Sequence, residues 1–509
     1  MKKHKQLISN LPSPSVFNHE VENIQTKETH ISWIILTGPY AYKIKKPVDL
    51  DFLDFSTLEK RKYYCEEELR LNRRTAPDLY LGVLPITGSY DEPVLNGSGK
   101  PIEWCVKMKQ FPDSQYLPRQ LEDGNVSRRQ IKQLARYVAR FHEQLEPADP
   151  DTSHGNPTTI RQATTQNFDQ ILPLLEENRI QDRVNKLRGW SDSHFEDEYG
   201  WFERRKRQGY IRECHGDMHL RNMFVDDGQI KLFDCIEFNE DLRWIDVIND
   251  VACLLVDLDI HNYSELAHRF LNTYLNWSAD YEGVAVLRFY RVYRAMVRAK
   301  VALMDHSGED IPRKFLQYLE SAENTISKRQ PFLAITRGPS ASGKSTGVEK
   351  LMGVLDFIRL QTDVIRKQIH GLEPDEESNS GLNQDMYTEE ANRQTYETMA
   401  ENARLLLQAG YPVIADGAFL DHNKRHDFYE LSKTLNVPFR ILNFTAPEKT
   451  LKQRVENRDH SENPSEAGIE VLEYQLSHRD PLTEQEEHQA LTIDTTEEID
   501  NERILSFLQ

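Results

Sequence analysis

Apolar and polar positions alternate in part over 31–37 and again over 41–48, with Gly38-Pro39 between them, and this spacing predicts a β-hairpin. A charged segment with helix-forming composition follows over 57–73, and a further strand over 102–108 runs up to Phe111-Pro112, where the regular pattern breaks. Helical spacing of apolar residues then recurs over 127–143, from 168 to the late 180s, over 241–259 and over 284–305, followed by a polar helix over 312–328. After Pro331 the pattern changes to short apolar runs alternating with helices, at 332–336, 357–361, 413–415, 439–444 and 491–493. Alternation of that kind predicts a mostly parallel sheet covered on both faces. Two folds are therefore expected: an α+β domain over 1–330 and an α/β domain over 331–509.

Bulk properties narrow the class. At 509 residues the chain exceeds what one core supports. With 38% hydrophobic and 28% charged residues it is neither disordered nor built to cross a bilayer. The basic start Met1-Lys2-Lys3-His4-Lys5 is not followed by a sustained apolar segment, which argues against a secretory signal. Five cysteines without a C-x-x-C pair read as buried thiols in a reducing cytoplasm. Net charge is −19, and the stretch from Pro331 onward, with 18 basic and 32 acidic residues, accounts for −14 of it. Such an acid excess keeps a protein soluble and repels polyanions, so it argues against a nucleic-acid substrate.

Two phosphate-handling signatures carry the chemistry. The first is His215-Gly216-Asp217-Met218-His219-Leu220-Arg221-Asn222, followed by an apolar strand over 229–233 that ends at Asp234. Phosphoryl transfer needs a carboxylate to orient or deprotonate the acceptor, and metal ligands plus a cation to hold the polyphosphate. Asp217 fits the catalytic carboxylate, while Asn222 and Asp234 fit magnesium ligands. His219 reads equally as a loop brace or a substrate contact. Order and spacing resemble the H-R-D-x-x-x-x-N and D-F-G elements of protein kinases. The variant H-G-D-x-H-x-x-N is similar to the aminoglycoside phosphotransferase and choline kinase families, over roughly 31–305. That resemblance implies a two-lobed kinase-like fold acting on a small-molecule hydroxyl. It also implies a role for Ala41-Tyr42-Lys43 as the adenine-facing and phosphate-binding strand, with Lys43 on phosphate. Lys45 shares that face of the strand and is the alternative. The partner carboxylate comes from Glu66, Glu67 or Glu68, with Glu68 preferred, and 108–111 forms the hinge between lobes. Asp246 and Asp250 read first as solvated helix carboxylates and second as acceptor contacts, and Arg291, Arg294 and Arg298 as a salt-bridged helix face.

The second signature, Gly338-Pro339-Ser340-Ala341-Ser342-Gly343-Lys344-Ser345, satisfies G-x-x-x-x-G-K-[ST] between a strand and a helix. Gly338, Ser342 and Gly343 permit the loop to turn successive amides toward phosphate, Lys344 reaches the β and γ phosphates, Ser345 reaches magnesium and Thr346 continues the helix start. Asp363 and Asp416 each follow a predicted strand, at the edge where open α/β sheets bind ligands. Asp363 fits the acceptor base, Arg366 the holder of an anionic substrate, and Asp416 the metal's water shell, with helix capping as the structural alternative for both aspartates. Arg454 and Arg458, four apart, would present two guanidinium groups from one helical face. The stretch 331–509 resembles small-molecule P-loop kinases, including gluconate-kinase-like, zeta-toxin-like and polynucleotide-kinase-like members, in which such a pair lies in a lid over the phosphates.

Together the two parts resemble the bacterial proteins described as bifunctional aminoglycoside phosphotransferase and ATP-binding proteins. ATP and magnesium at two sites, and small hydroxyl compounds as acceptors, are what that likeness implies. A nucleotide-gated regulatory role for the P-loop part, or transfer by it to nucleotide or polynucleotide ends, are the alternatives. No acceptor-binding motif stands out, and oligomeric state is not written in the pattern.

Overall fold

The computed structural model describes all residues except 1, 22, 51–52, 307–309, 328–329, 377–385, 387, 458–467 and 509. The chain forms two compact units, one from 1–134, 141–165 and 202–257, the other from 135–140, 166–201 and 258–509. The change of element pattern near residue 330 thus lies inside the second unit.

The first unit begins with an antiparallel sheet of β1 (Gln25–Glu28), β2 (Ser32–Leu36), β3 (Tyr40–Lys45), β4 (Tyr80–Gly88), β5 (Pro93–Leu95) and β6 (Glu103–Lys109), in the order β1-β2-β3-β6-β4-β5. Alternation along β3 sends Tyr42 and Ile44 into a core with Trp33, Ile35, Ile86 and Leu7. Ala41, Lys43 and Lys45 take the opposite face, and the lysines meet α1 (Leu58–Asn72), which Thr57 caps by accepting from the Lys60 amide. Leu7 comes from a helix over Lys2–Asn10 that the sequence pattern does not single out.

Beyond the sheet, β7 (Ile211–Glu213) pairs with β10 (Trp244–Asp246), and the hairpin β8 (Met223–Asp226) and β9 (Gln229–Leu232) closes through Asp227-Gly228, both with positive φ. Helix α2 (Val247–Ile260) starts six residues later than the helix expected from 241, because 244–246 is spent on pairing with β7. The loop 215–222 and the end of β9 are thereby held side by side. Phe233 N–H donates to Asn222 O at 3.0 Å, His215 Nε2 to Phe233 O at 3.0 Å and Ile236 N–H to His215 O at 3.1 Å.

In the second unit, α3 (Ser264–Ser278), α4 (Val284–Met304) and α5 (Arg313–Ile326) accompany an all-parallel sheet of β11 (Leu333–Arg337), β12 (Ile358–Gln361), β13 (Val413–Asp416), β14 (Phe439–Thr445) and β15 (Ala490–Asp494). Strand order is β12-β13-β11-β14-β15, so the strand leading into the P-loop is central. The five strands coincide with the five apolar runs of the sequence, as burial on both faces requires. Val348, Leu351, Ile414, Leu442, Phe444 and Ile493 fill the core on one side. The connecting helices are α6 (Lys344–Leu351), α7 (Thr362–Ile369), α8 (Glu389–Gln408), α9 (His422–Leu435), α10 (Glu448–Glu456) and α11 (Ile469–Ser477). Helix α3 docks on β12 through Asn272, whose Nδ2 donates to Phe357 O at 3.0 Å and whose Oδ1 accepts from Arg359 N–H at 2.7 Å.

Candidate active sites

In the first unit, Lys43 Nζ lies 2.6 Å from Asp234 Oδ1 and 2.8 Å from Glu68 Oε1. Of the three competing glutamates, Glu68 alone is fully buried; Glu66 pairs with Lys62 on the surface and Glu67 with Arg70. Burial works against the Lys43 charge, yet Asp234 and Glu68 outweigh it and hold its pKa well above the ordinary value. Glu68, likewise opposed by burial, is brought down to about 2 by Lys43 and Lys45.

Lys45 is closed off. It has no exposed side-chain surface, donates to Glu68 Oε2 at 2.7 Å and is in contact with Glu237. Burial is the first reason that the Glu237 pKa is raised, with Lys45 opposing it and Glu68 reinforcing it. Lys43, whose partner Asp234 is 41% exposed, is thus the lysine at the open side of the cluster, and Lys45 is the interior one. Neither the burial of Lys45 nor its pairing with Glu237 is predictable locally, since 192 positions separate the two residues.

Asp234 has φ 63, a left-handed conformation that an aspartate tolerates better than most side chains. Its amide donates to Tyr80 Oη at 3.1 Å, and the next amide, of Cys235, donates to Asn72 Oδ1 at 2.9 Å. These bonds point the carboxylate at Lys43 and leave its second oxygen for a cation. In the loop, Asn222 Nδ2 donates to Asp217 O at 3.0 Å and to Asp217 Oδ2 at 3.3 Å, so the carbonyl Oδ1 is the atom that it can offer a metal. His219 Nδ1 accepts from the Arg221 amide at 3.1 Å, which places its proton on Nε2, 3.2 Å from Asp217 Oδ2. His219 is therefore a brace that fixes the Asp217 carboxylate.

Asp250 and Asp246 are consumed inside the fold. Asp250 accepts from the His215 and Gly216 amides, each at 3.0 Å, and Asp246 forms a buried two-point pair with Arg205 at 2.6 and 2.8 Å. Both are buried supports of the loop and of β10, not solvated helix carboxylates. Arg291 pairs with Asp259, in line with the salt-bridged face expected for that helix.

In the second unit, the P-loop opens onto a cavity of about 1140 Å³ lined by Lys344, Ser345, Thr346, Asp363, Asp416 and Arg454, among others. Gly338 has φ 148, and a Cβ there would stand 2.5 Å from Phe444 O; Gly343 has φ 89, and its Cβ would stand 2.9 Å from Thr495. Any side chain at either position would collapse the cradle. Lys344 Nζ donates to the Gly338 and Pro339 carbonyls, each at 2.8 Å, folding over the loop. Ser342 Oγ is buried without a partner among the described residues. A loop of this shape, with Ser345 and Thr346 exposed at the first turn of α6, fits a polyphosphate with its hard cation.

Asp416 ends β13 opposite Gln361 of β12, so Asp363, two residues on, leaves the same sheet edge. Thr336 Oγ1 lies 3.0 Å from Asp416 Oδ1, and Arg359 Nε donates to Asp416 Oδ2 at 2.9 Å. Asp416 is therefore a buried carboxylate already engaged on both oxygens. Arg454 donates to Thr495 Oγ1 at 2.8 Å and Thr495 O at 2.7 Å, beside the Ala341 carbonyl. Arg458 lies outside the described residues.

Two family models match separate stretches of the chain. Residues 96–289 match the model of the phosphotransferase enzyme family, and 333–482 match that of an AAA domain. The chain is thus an enzyme of the kinase type that carries a phosphotransferase domain and a P-loop domain. An uncharacterized protein of Mycobacterium tuberculosis (strain H37Rv) is 29% identical over 407 residues, which cover 79% of this chain and 80% of that protein. A Mycobacterium bovis protein, also uncharacterized, matches to the same extent. Among solved structures, a choline/ethanolamine kinase family protein from Mesorhizobium loti is similar with a TM-score of 0.39 and 11% identity, over 64% of this chain and 95% of that one. A gluconokinase from Sinorhizobium meliloti 1021 is similar with a TM-score of 0.25 and 17% identity, over 35% of this chain and 90% of that one. Among the described residues, no helix is long and apolar enough to cross a membrane.

Proposed function

We propose that the chain is a phosphotransferase with two nucleotide sites, each unit moving the γ-phosphoryl group of Mg-ATP to a hydroxyl of a small molecule. The observation that carries this reading is the cavity of about 1140 Å³ in the second unit, which brings the P-loop, Asp363 and Asp416 to one space. Drug-sized ligands fill about 300–1000 Å³, so there is room for a nucleotide and an acceptor together. In that unit Lys344 contacts the β and γ phosphates, Arg454 borders the loop, and Asp363 accepts the acceptor's proton. In the first unit Lys43, held by Glu68, contacts phosphate, and Asp217 orients and deprotonates the acceptor, with Asn222 and Asp234 offering oxygens to the metal. Asn222 and Asp234 in the first unit and Ser345 in the second would hold magnesium, which would supply positive charge against that developing on the transferred phosphoryl group.

Independence of the sites is testable by phosphate incorporation from ATP into a metabolite extract. Asp217→Asn should abolish only the products of the first unit, and Lys344→Ala only those of the second. Loss of all products in either variant alone would refute two independent sites.

A further inference from the structure

The end of the P-loop helix is gripped by α3. Helix α3 lies inside the stretch matched by the phosphotransferase model, ahead of the AAA match that begins at 333, yet it belongs to the same compact unit as the parallel sheet. Arg269 of α3 is 1% exposed. Its Nε donates to Glu265 Oε1 at 2.9 Å, its Nη1 to Glu349 Oε1 at 2.5 Å and its Nη2 to Glu349 O at 3.1 Å. Glu349 stands in the last turn of α6, where helix carbonyls lack partners within the helix and favour a cation. Arg269 therefore closes the C-terminus of the helix whose first turn carries Lys344 and Ser345.

The second oxygen of Glu349 continues the chain. Glu349 Oε2 lies 3.4 Å from Arg359 Nη1, and Arg359, 5% exposed in β12, holds Asp416 through Nε at 2.9 Å and through Nη2. Glu265, Arg269, Glu349, Arg359 and Asp416 thus alternate in charge from α3 to the end of β13. An ionised carboxylate has about four acceptor positions, so the Arg359 and Thr336 contacts do not exhaust Asp416, which lines the cavity with Ser345. The Glu349 charge behind Arg359 offsets part of the guanidinium charge, and the field at Asp416 is more negative for it. The 3.4 Å contact is the longest in the chain and Glu349 is 31% exposed, with Arg269 gripping its other oxygen.

We propose that Glu349 and Arg269 are positioning residues of the P-loop site: through Arg359 they set how strongly the Asp416 carboxylate attracts the divalent cation of the bound nucleotide. The inference rests on the nucleotide-binding reading of that unit. Neither residue lines the cavity. Glu349 supplies the charge behind Arg359, and Arg269 keeps that carboxylate in line. A P-loop site built in this way depends on a helix that precedes residue 331, and the stretch 331–509 by itself lacks it.

The test is calorimetric titration of the full chain with AMP-PNP, in magnesium and in EDTA, in an Asp234→Asn background that removes the first site. Magnesium should strengthen binding by this parent chain, and Glu349→Gln and Arg269→Met should each lower that gain about tenfold or more while affinity in EDTA changes by less than about twofold. Glu349→Asp should keep most of the gain, and Glu349→Gln should add nothing once Asp416 is replaced by Asn. No magnesium gain in the parent chain, an unchanged gain in Glu349→Gln, an equal loss with and without magnesium, or a full further loss on top of Asp416→Asn would each overturn the proposal. Cooperative thermal unfolding is the folding control, and Glu349→Gln, which removes no buried cation, decides alone should Arg269→Met fail it. A parent chain whose AMP-PNP binding does not respond to Lys344→Ala would instead refute the underlying reading.

Discussion

Asp363→Asn is expected to lower phosphoryl transfer by the P-loop unit by about 10²–10⁴-fold while leaving AMP-PNP affinity nearly intact. The residue is second in α7, directly after β12, and lines the cavity into which the P-loop opens. An amide keeps the shape of the carboxylate but cannot take a proton. Transfer is measured in an Asp217→Asn background, so that the first unit contributes nothing to the signal. Unchanged transfer would remove Asp363 from the base role, and no transfer in the Asp217→Asn background even with Asp363 intact would favour the regulatory alternative, in which the P-loop unit binds nucleotide without an acceptor of its own.

Lys45→Met should destabilise the first unit by about 3–5 kcal/mol, because it strands buried carboxylates without their cation. Glu68 has no exposed side-chain surface and Glu237 only 3%. Lys43, Lys45, Glu68 and Glu237 balance as two positive and two negative charges, which leaves Asp234 as the surplus carboxylate at the open side. Denaturant unfolding should show the loss, and adding Glu237→Gln should recover part of it in a double-mutant cycle. The alternative, Lys45 as the phosphate-binding lysine, predicts a stable Lys45→Met protein with impaired ATP affinity. The quartet also has an acid limit. Since the Glu68 pKa is depressed from 4.5 to about 2, its contribution is complete above about pH 4.5 and fades as pH falls toward 2.

Much of this was legible because the informative patterns are local. The loop 215–222, the P-loop 338–345 and the five apolar runs of the parallel sheet each specify their backbone within a few residues. The antiparallel sheet was legible only in part. Strand β4 contains Gly82 and Pro85 and is mostly half-buried, so its alternation is weak, and β5 is three residues long. Buried charges were the least accessible feature. Nothing near Lys45 announces Glu237, and nothing near Asp246 announces Arg205, because those pairings are created by the fold. For the same reason Asp246 and Asp250 read as surface carboxylates until their partners were in view.

The most direct test of the account is nucleotide stoichiometry. Calorimetry with AMP-PNP and magnesium should find two equivalents bound per chain, falling to one in Asp234→Asn and to the other one in Lys344→Ala. A single equivalent in the wild-type chain, with none lost on neutralising Asp234, would contradict it.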